Sequence, residues 1–348
     1  MRKAKLVVTF ALAPSYDVRI GSGVLAQMGA NIQQACANAP AGNRMLLLTD
    51  DTAAPEAVDT VKTALSQAGF RPAKVSVSPD NALETVGELW AAMAQLGLDS
   101  ASVLVVMGDA PLLNLAGFAG TAFGGGLRCV YAPTTLAAAV SCAVSDQAVL
   151  EVKGANGQVK ADIRPLYSCI DLDLFASLSA DQWMAGFELV AQAALLDSDD
   201  FFFWLSDNAS ALRNRDEEAV CEALVRTLSF RSSLSAAAEQ QGEEAWNVLA
   251  YGSEFASAMG ASLADGMRFS ALLSHFEGLI SSDIIDAQDA LLTQLGFIQQ
   301  TKVSNAQVAL RSFNLPGGVI NLMLPTDIGA CRQVLVPAHE LLSCLEAF

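Results

Sequence analysis

Residues 103–118 read VLVVMGDAPLLNLAGF. Residues 103–107 form a short apolar run rich in valine, the signature of a strand covered on both faces. The run ends at Gly108-Asp109, where an α/β protein that holds a nucleotide turns its chain around phosphate. Such a turn uses small residues, so that backbone N–H groups can come close to the anion. Here Ala110, Pro111, Leu112 and Leu113 follow instead. Pro111 has no N–H to donate, Asp109 adds negative charge, and the leucines are expected to take up the space that glycine would leave open.

Outward from this stretch, strand-like and helix-like segments alternate. Further strands are predicted at residues 6–10, 45–49, 74–77 and 129–132, with helices over 56–67 and 83–96. Alternation of this kind specifies a parallel sheet with helices on both faces, whose ligands bind beyond the carboxyl ends of the strands. Asp50, Asp51, Gly108 and Asp109 fall there. From about residue 180 the pattern turns helical, opening with the capping-box signature Ser179-x-x-Gln182. Helices are predicted near 217–235, 245–259, 267–280, 282–295 and 339–345, with a strand pair at 307–312 and 319–324 around Pro316-Gly317-Gly318. The fold class is therefore an α/β, Rossmann-like N-terminal domain (residues 1–175) followed by a mainly α-helical C-terminal domain (residues 176–348).

Composition narrows the function. The chain of 348 residues carries 20 Lys+Arg against 37 Asp+Glu, a formal net charge of −17. That balance opposes binding to nucleic acid or to an anionic membrane surface, and no basic run reverses it locally. No apolar run is long enough for a membrane span. The opening MRKAKLVVTFALAPSYDV has the basic and apolar parts of a signal peptide, but Tyr16–Ile20 continues it in strand alternation, which favours an edge strand. The seven cysteines show no metal or redox spacing, as expected of buried, reduced thiols in a cytoplasmic protein. Histidine occurs only at His275 and His339, and neither is expected to serve as a ligand.

Several segments, in order, resemble the 3-dehydroquinate synthase family. They are YDVRIGSGVL (16–25), LLLTDDTAAP (46–55), LETVGELWAAMAQLGLDSASVLVVMGD (83–109), LAGFAGTAF (115–123) and RCVYAPTTL (128–136). AGFELVAQAALLDSDDFF (185–202), LAYGSEFASAMG (249–260) and GGVINLMLPTDIG (317–329) continue the register. The resemblance implies a two-domain, dimeric sugar-phosphate cyclase scaffold that uses NAD and zinc or another divalent metal, with lysines and arginines holding an anionic substrate.

Carried over residue by residue, most of that site is missing. Of the three metal ligands, a glutamate and two histidines, Glu188 matches the glutamate. Ser253 stands at the first histidine, Ser257 at the next histidine-type position one helical turn on, and Asp265 or Ala264 at the third ligand. Neutral hydroxyls are poor ligands for a zinc-type ion. Of the dinucleotide positions, Asp50, Gly108, Thr134 and Thr135 remain as residual candidates, each equally readable as a cap or turn residue. The family's charged substrate positions are occupied by Ser141, Gln147, Asn156, Ala191, Ser232, Trp246 and Phe313-Asn314. Gly124-Gly125-Gly126 reads as a turn rather than a phosphate nest.

Two functional classes follow. One is a catalytically degenerate relative of 3-dehydroquinate synthase, with no catalytic residue, no metal and no NAD. It would act as a pseudoenzyme or regulatory subunit, a homodimer or a heterodimer with a functional relative. The other is an enzyme of altered, metal-independent chemistry in the same fold. Authentic 3-dehydroquinate synthase activity ranks behind both.

Overall fold

The computed structural model describes residues 4–8, 15–37, 41–79, 82–153, 155, 157–299, 301–303, 305–313 and 316–348. The chain divides into two compact units, Met1–Phe187 with Arg231–Ala236, and Glu188–Phe230 with Ala237–Phe348. Residues 176–187 thus pack with the first unit, whereas the sequence assigns them to the second.

The first unit is built on strands β1 (Ala4–Val8), β2 (Tyr16–Gly21), β3 (Arg44–Thr49), β4 (Arg71–Ser76), β5 (Val103–Gly108) and β6 (Arg128–Pro133). A short antiparallel pair follows, β7 (Gln147–Leu150) with β8 (Val159–Asp162), and then β9 (Tyr167–Asp171). The seven-stranded sheet runs β1-β2-β9-β6-β5-β3-β4, parallel throughout except for β1 at its edge, antiparallel to β2. The opening residues thus form the edge strand that the alternation implied, at Ala4–Val8.

All six residues of β5 are buried because both faces are covered. Leu104 and Val106 pack with α3 (Ala82–Gln95) and α4 (Ala110–Ala122). Val103, Val105 and Met107 pack with α1 (Met28–Ala35) and α2 (Pro55–Gln67) on the other face. A further helix, α5 (Leu136–Cys142), follows β6.

Helix α6 (Ala180–Asp197) opens as the capping box requires: Ser179 Oγ accepts the Gln182 N–H at 3.2 Å, and Gln182 Oε1 accepts the Ser179 N–H at 3.0 Å. The second unit adds α7 (Asp199–Asp207), α8 (Ala209–Arg213), most of α9 (Glu217–Gln241), α10 (Ser253–Met259), α11 (Leu263–Phe276) and α12 (Ser282–Gln294). It closes with α13 (Ala306–Leu310), the hairpin β10 (Val319–Asp327) and β11 (Ala330–Pro337), and α14 (Ala338–Ala347). Its core centres on Phe255 stacked on Phe269 at 4.2 Å, with Phe313 and Phe348 beside them.

Two expectations are corrected. The predicted helix 245–259 is interrupted: Glu243–Ala250 winds as a 3-10 helix, and Gly252, at φ 80°, starts α10 afresh. The predicted strand at 307–312 is instead α13, whose Asn305 side chain accepts the Val308 N–H as an N-cap; β10 pairs forward with β11 around Gly329. Among the described residues no helix is long and apolar enough to cross a membrane.

Candidate functional site

In the sheet, β4 lies on one side of β3 and β5 on the other, so the order in which strands are added reverses between β3 and β5 while the strands stay parallel. In such a fold the usual ligand position lies beyond the carboxyl ends of the strands at this switch point. Asp50 follows β3, Gly108 ends β5, and Thr134 and Thr135 follow β6. All four residual dinucleotide candidates therefore meet at this point, linked by hydrogen bonds that run through Thr52 and Asp109.

Asp50 is buried, and its Oδ2 accepts the Asp109 N–H at 2.9 Å. Its Oδ1 accepts the Thr52 N–H at 3.0 Å and the Thr52 hydroxyl at 2.5 Å. The hydroxyls of Thr52 and Thr134 lie 2.6 Å apart, and the Thr134 N–H donates to the Gly108 carbonyl at 3.0 Å. Thr135 Oγ1 donates to Asp109 Oδ1 at 2.6 Å and accepts the Ala138 N–H at 3.1 Å, capping α5. A Cβ on Gly108 would lie 2.5 Å from Asp50 Oδ2 and 2.6 Å from Leu112 Cδ2. Glycine is needed here to let a carboxylate of the same chain approach.

The expected obstructing loop is not a loop. Asp109 caps α4 by accepting the Ala110 N–H at 2.8 Å, and Pro111 sits in the first helical turn, so the helix starts directly after the strand. Leu112 and Leu113 are fully buried in the core beneath it. What stands at the amide where a phosphate would bind is the Asp50 carboxylate. This arrangement does not fit a dinucleotide pyrophosphate: the Asp109 amide is taken, Pro111 has none, and two carboxylates flank the position.

The metal positions belong to the second unit. Glu188 Oε2 accepts the Leu263 N–H at 3.2 Å, and Oε1 accepts the Ala264 N–H at 3.4 Å. Ser262 Oγ accepts the Asp265 N–H at 3.1 Å. Together they cap the N-terminus of α11. Burial raises the Glu188 carboxyl above the usual range, and the two amides partly counter it. Asp265 is fully buried, its Oδ2 accepting the Thr301 N–H at 2.8 Å and its Oδ1 lying 3.6 Å from Arg268 Nη1. Ser253 Oγ donates to the Ala250 carbonyl at 2.8 Å, and Ser257 is exposed.

These donors do not fit a divalent metal. The glutamate is engaged by backbone amides, the aspartate by an amide and a guanidinium, and the serine by a carbonyl. Among the described residues no group of three or more His, Cys, Asp or Glu is arranged to hold an ion. His275 Nδ1 lies 3.0 Å from the Ile280 carbonyl, a structural contact.

The other carried-over positions scatter. Ala191 is buried on α6, the Ser141 hydroxyl donates to the Ala137 carbonyl of its own helix at 2.7 Å, and Phe313 joins the aromatic core. Gln147 starts β7, while Ser232 and Trp246 are half-buried. Asn156 and Asn314 lie outside the described residues. Gly124, Gly125 and Gly126, at φ 60°, 86° and 98°, turn the chain into the amino end of β6, away from the switch point.

Three residues escaped the sequence analysis. Thr52 and Ser262 were legible as Asp-x-Thr after a strand and Ser-x-x-Asp before a helix. Glu254, in the first turn of α10, was not: its carboxyl is pushed up to about 7 by burial, which no local pattern encodes.

Comparison with known proteins agrees with this architecture. The family model for the 3-dehydroquinate synthase N-terminal region matches residues 77–185. The 3-dehydroquinate synthase of Rhodopirellula baltica is 25% identical over 322 residues, covering 87% of this chain and 86% of the relative. That of Paracoccus denitrificans is 28% identical over 323 residues, covering 90% and 84%. Among solved structures, 2-deoxy-scyllo-inosose synthase, in complex with carbaglucose-6-phosphate, NAD+ and Co2+, matches with a TM-score of 0.82 at 16% identity over 99% of both chains. The 2-epi-5-epi-valiolone synthase of Streptomyces hygroscopicus, with NAD+ and Zn2+ bound, matches with a TM-score of 0.80 at 19% identity over 98% of both. The segments that resemble the family, the matches along most of the chain and the shared fold converge: the chain is similar to 3-dehydroquinate synthases in sequence and shares the fold of 2-deoxy-scyllo-inosose synthase and 2-epi-5-epi-valiolone synthase.

Proposed function

We propose that this protein is a catalytically degenerate 3-dehydroquinate synthase-like protein: a cytoplasmic regulatory or partner subunit, paired with itself or with a functional relative. One observation carries the reading. Asp50 and Glu188, the acidic groups retained at the dinucleotide and metal positions, both accept backbone N–H groups of their own fold. Phosphate elimination from a small anionic sugar acid would need a metal, a hydride acceptor and cations. Each of these supplies several kcal/mol of transition-state stabilisation, and every ~1.4 kcal/mol is about tenfold in rate. Losing all three leaves no measurable lyase activity, even with strong non-additivity. The test is complementation of a cell lacking 3-dehydroquinate synthase. No growth without aromatic supplements is expected; growth that depends on this gene alone would overturn the proposal.

Glu254 favours the second reading, an enzyme of altered, metal-independent chemistry. A carboxyl near 7 is poised to exchange a proton at neutral pH. Assay of the purified protein against a panel of sugar phosphates separates the two. Turnover abolished by Glu254→Gln would support the enzyme, and no turnover by the wild type would exclude it for that panel.

A further inference from the structure

Helix α3 turns Val86, Leu89 and Met93 into the core of the first unit. The outward side of such a helix ordinarily carries charge. Here the exposed positions include Leu83, Gly87, Trp90, Ala91 and Ala94, whose spacing places them in one apolar stripe about 16 Å long. Leu83 is 58% exposed and Trp90 36%. Trp90 Nε1 donates to the Ala119 carbonyl of α4 at 2.9 Å, which holds the indole in place along the stripe. Gly87 leaves the surface low between these two large side chains: a Cβ there would meet nothing within 4 Å. Large apolar groups flanking a shallow stretch make a relief that the apolar face of another helix can fill.

Charge decides what kind of helix fits. Residues 75–127 contain no Lys, Arg or His, and Glu84 and Glu88 lie exposed, one turn apart, along one margin of the stripe. An isologous contact with a second copy would bring the same surface, which has no cation to offer these acids. A helix with an apolar face edged by Lys or Arg complements both the stripe and its acidic margin.

We propose that the exposed face of α3 docks an amphipathic helix of a partner protein, apolar where it meets Leu83 and Trp90 and cationic along the margin that meets Glu84 and Glu88. This goes beyond the partner-subunit reading by naming a surface and the chemistry it recognises, and it is tested by binding alone, apart from the complementation experiment.

Two synthetic peptides of about 14 residues with the same apolar face, one edged with Lys and the other with Glu, are titrated by calorimetry into the full-length protein at about 150 mM salt. One Lys-edged peptide per chain is expected to bind saturably, and the Glu-edged peptide not to bind. Glu88→Lys and Ala91→Arg should each weaken binding about tenfold, with an unchanged thermal melt because both positions are exposed. Glu346→Lys makes the same change of charge at an exposed position of α14 and should leave binding intact. No saturable binding of the Lys-edged peptide, equal binding of the two peptides, or binding unchanged in Glu88→Lys or Ala91→Arg would overturn the proposal. Equal weakening by Glu88→Lys and Glu346→Lys would do so too, because overall charge would then account for the binding. A wild-type dimer in sedimentation that Ala91→Arg converts to monomer would assign the face to a second copy and overturn it as well.

Discussion

Asp50 and Glu188 do similar work in the two units: each places a buried or half-buried carboxylate against backbone N–H groups at the start of a helix, Asp50 at the Asp109 cap of α4 and Glu188 at the first turn of α11. A carboxylate there is favoured both by hydrogen bonding and by the positive end of the helix. Asp50→Ala would strand the Asp109 amide and two Thr52 donors. We expect a loss of about 1–3 kcal/mol, read as a lower urea midpoint at unchanged slope. Glu254 makes a different demand. Its folded-state carboxyl, at about 7, lies above the ordinary glutamate value of 4.5, so between those values the native state holds a proton that the unfolded chain has lost. Stability from this group is therefore complete below about 4.5 and is lost as pH rises through about 7. Glu254→Gln should flatten the wild-type fall of the melting temperature across that window; an identical pH profile in the two proteins would show that Glu254 is not held protonated.

At the scale of elements, α10 and α11 cross at a pair of glycines. Gly252, at φ 80°, begins α10 with its carbonyl pressed on Gly266: a Cβ on Gly266 would lie 1.9 Å from the Gly252 oxygen. Both neighbours are backbone, so relief requires the helices to separate. Gly266→Ala is expected to cost about 3 kcal/mol or more, the upper range for overpacking, measured by thermal or urea unfolding. Exposed helix positions such as Ser257 should tolerate alanine with changes within about 0.5 kcal/mol. The cysteines fit this packed interior. Burial pushes the thiols of Cys129, Cys169 and Cys344 up to about 12, which makes them inert side chains rather than nucleophiles.

The whole molecule keeps a cyclase fold around positions whose polar groups are already partnered. Metal binding to the native state would raise the melting temperature by mass action. Zinc added to protein stripped with excess chelator should therefore leave the melt unchanged. Ser253→His should behave the same way, because one added imidazole still faces a glutamate engaged by α11 and an aspartate held by Arg268 and Thr301. A saturable zinc-dependent rise in either protein would mean that Glu188 can leave its cap.

The sequence by itself determined the parallel sheet, the capping box at Ser179 and the scarcity of histidine, which occurs only at His275 and His339. Those features rest on local patterns: apolar runs of strand length, a Ser-x-x-Gln spacing, and the identity of single residues. Only the tertiary structure decided that Leu112 and Leu113 lie in the core, that 306–310 is helical, and that Asp50 and Glu188 bind amides distant in the chain. The physical reason is range. Turn and cap chemistry is written within a few residues, but Asp50 meets Asp109 only because β3 and β5 pair side by side, and Glu188 meets Leu263 only through packing of the second unit. The partner of a buried charge is set by which elements the fold makes neighbours, and that is not encoded at either residue alone.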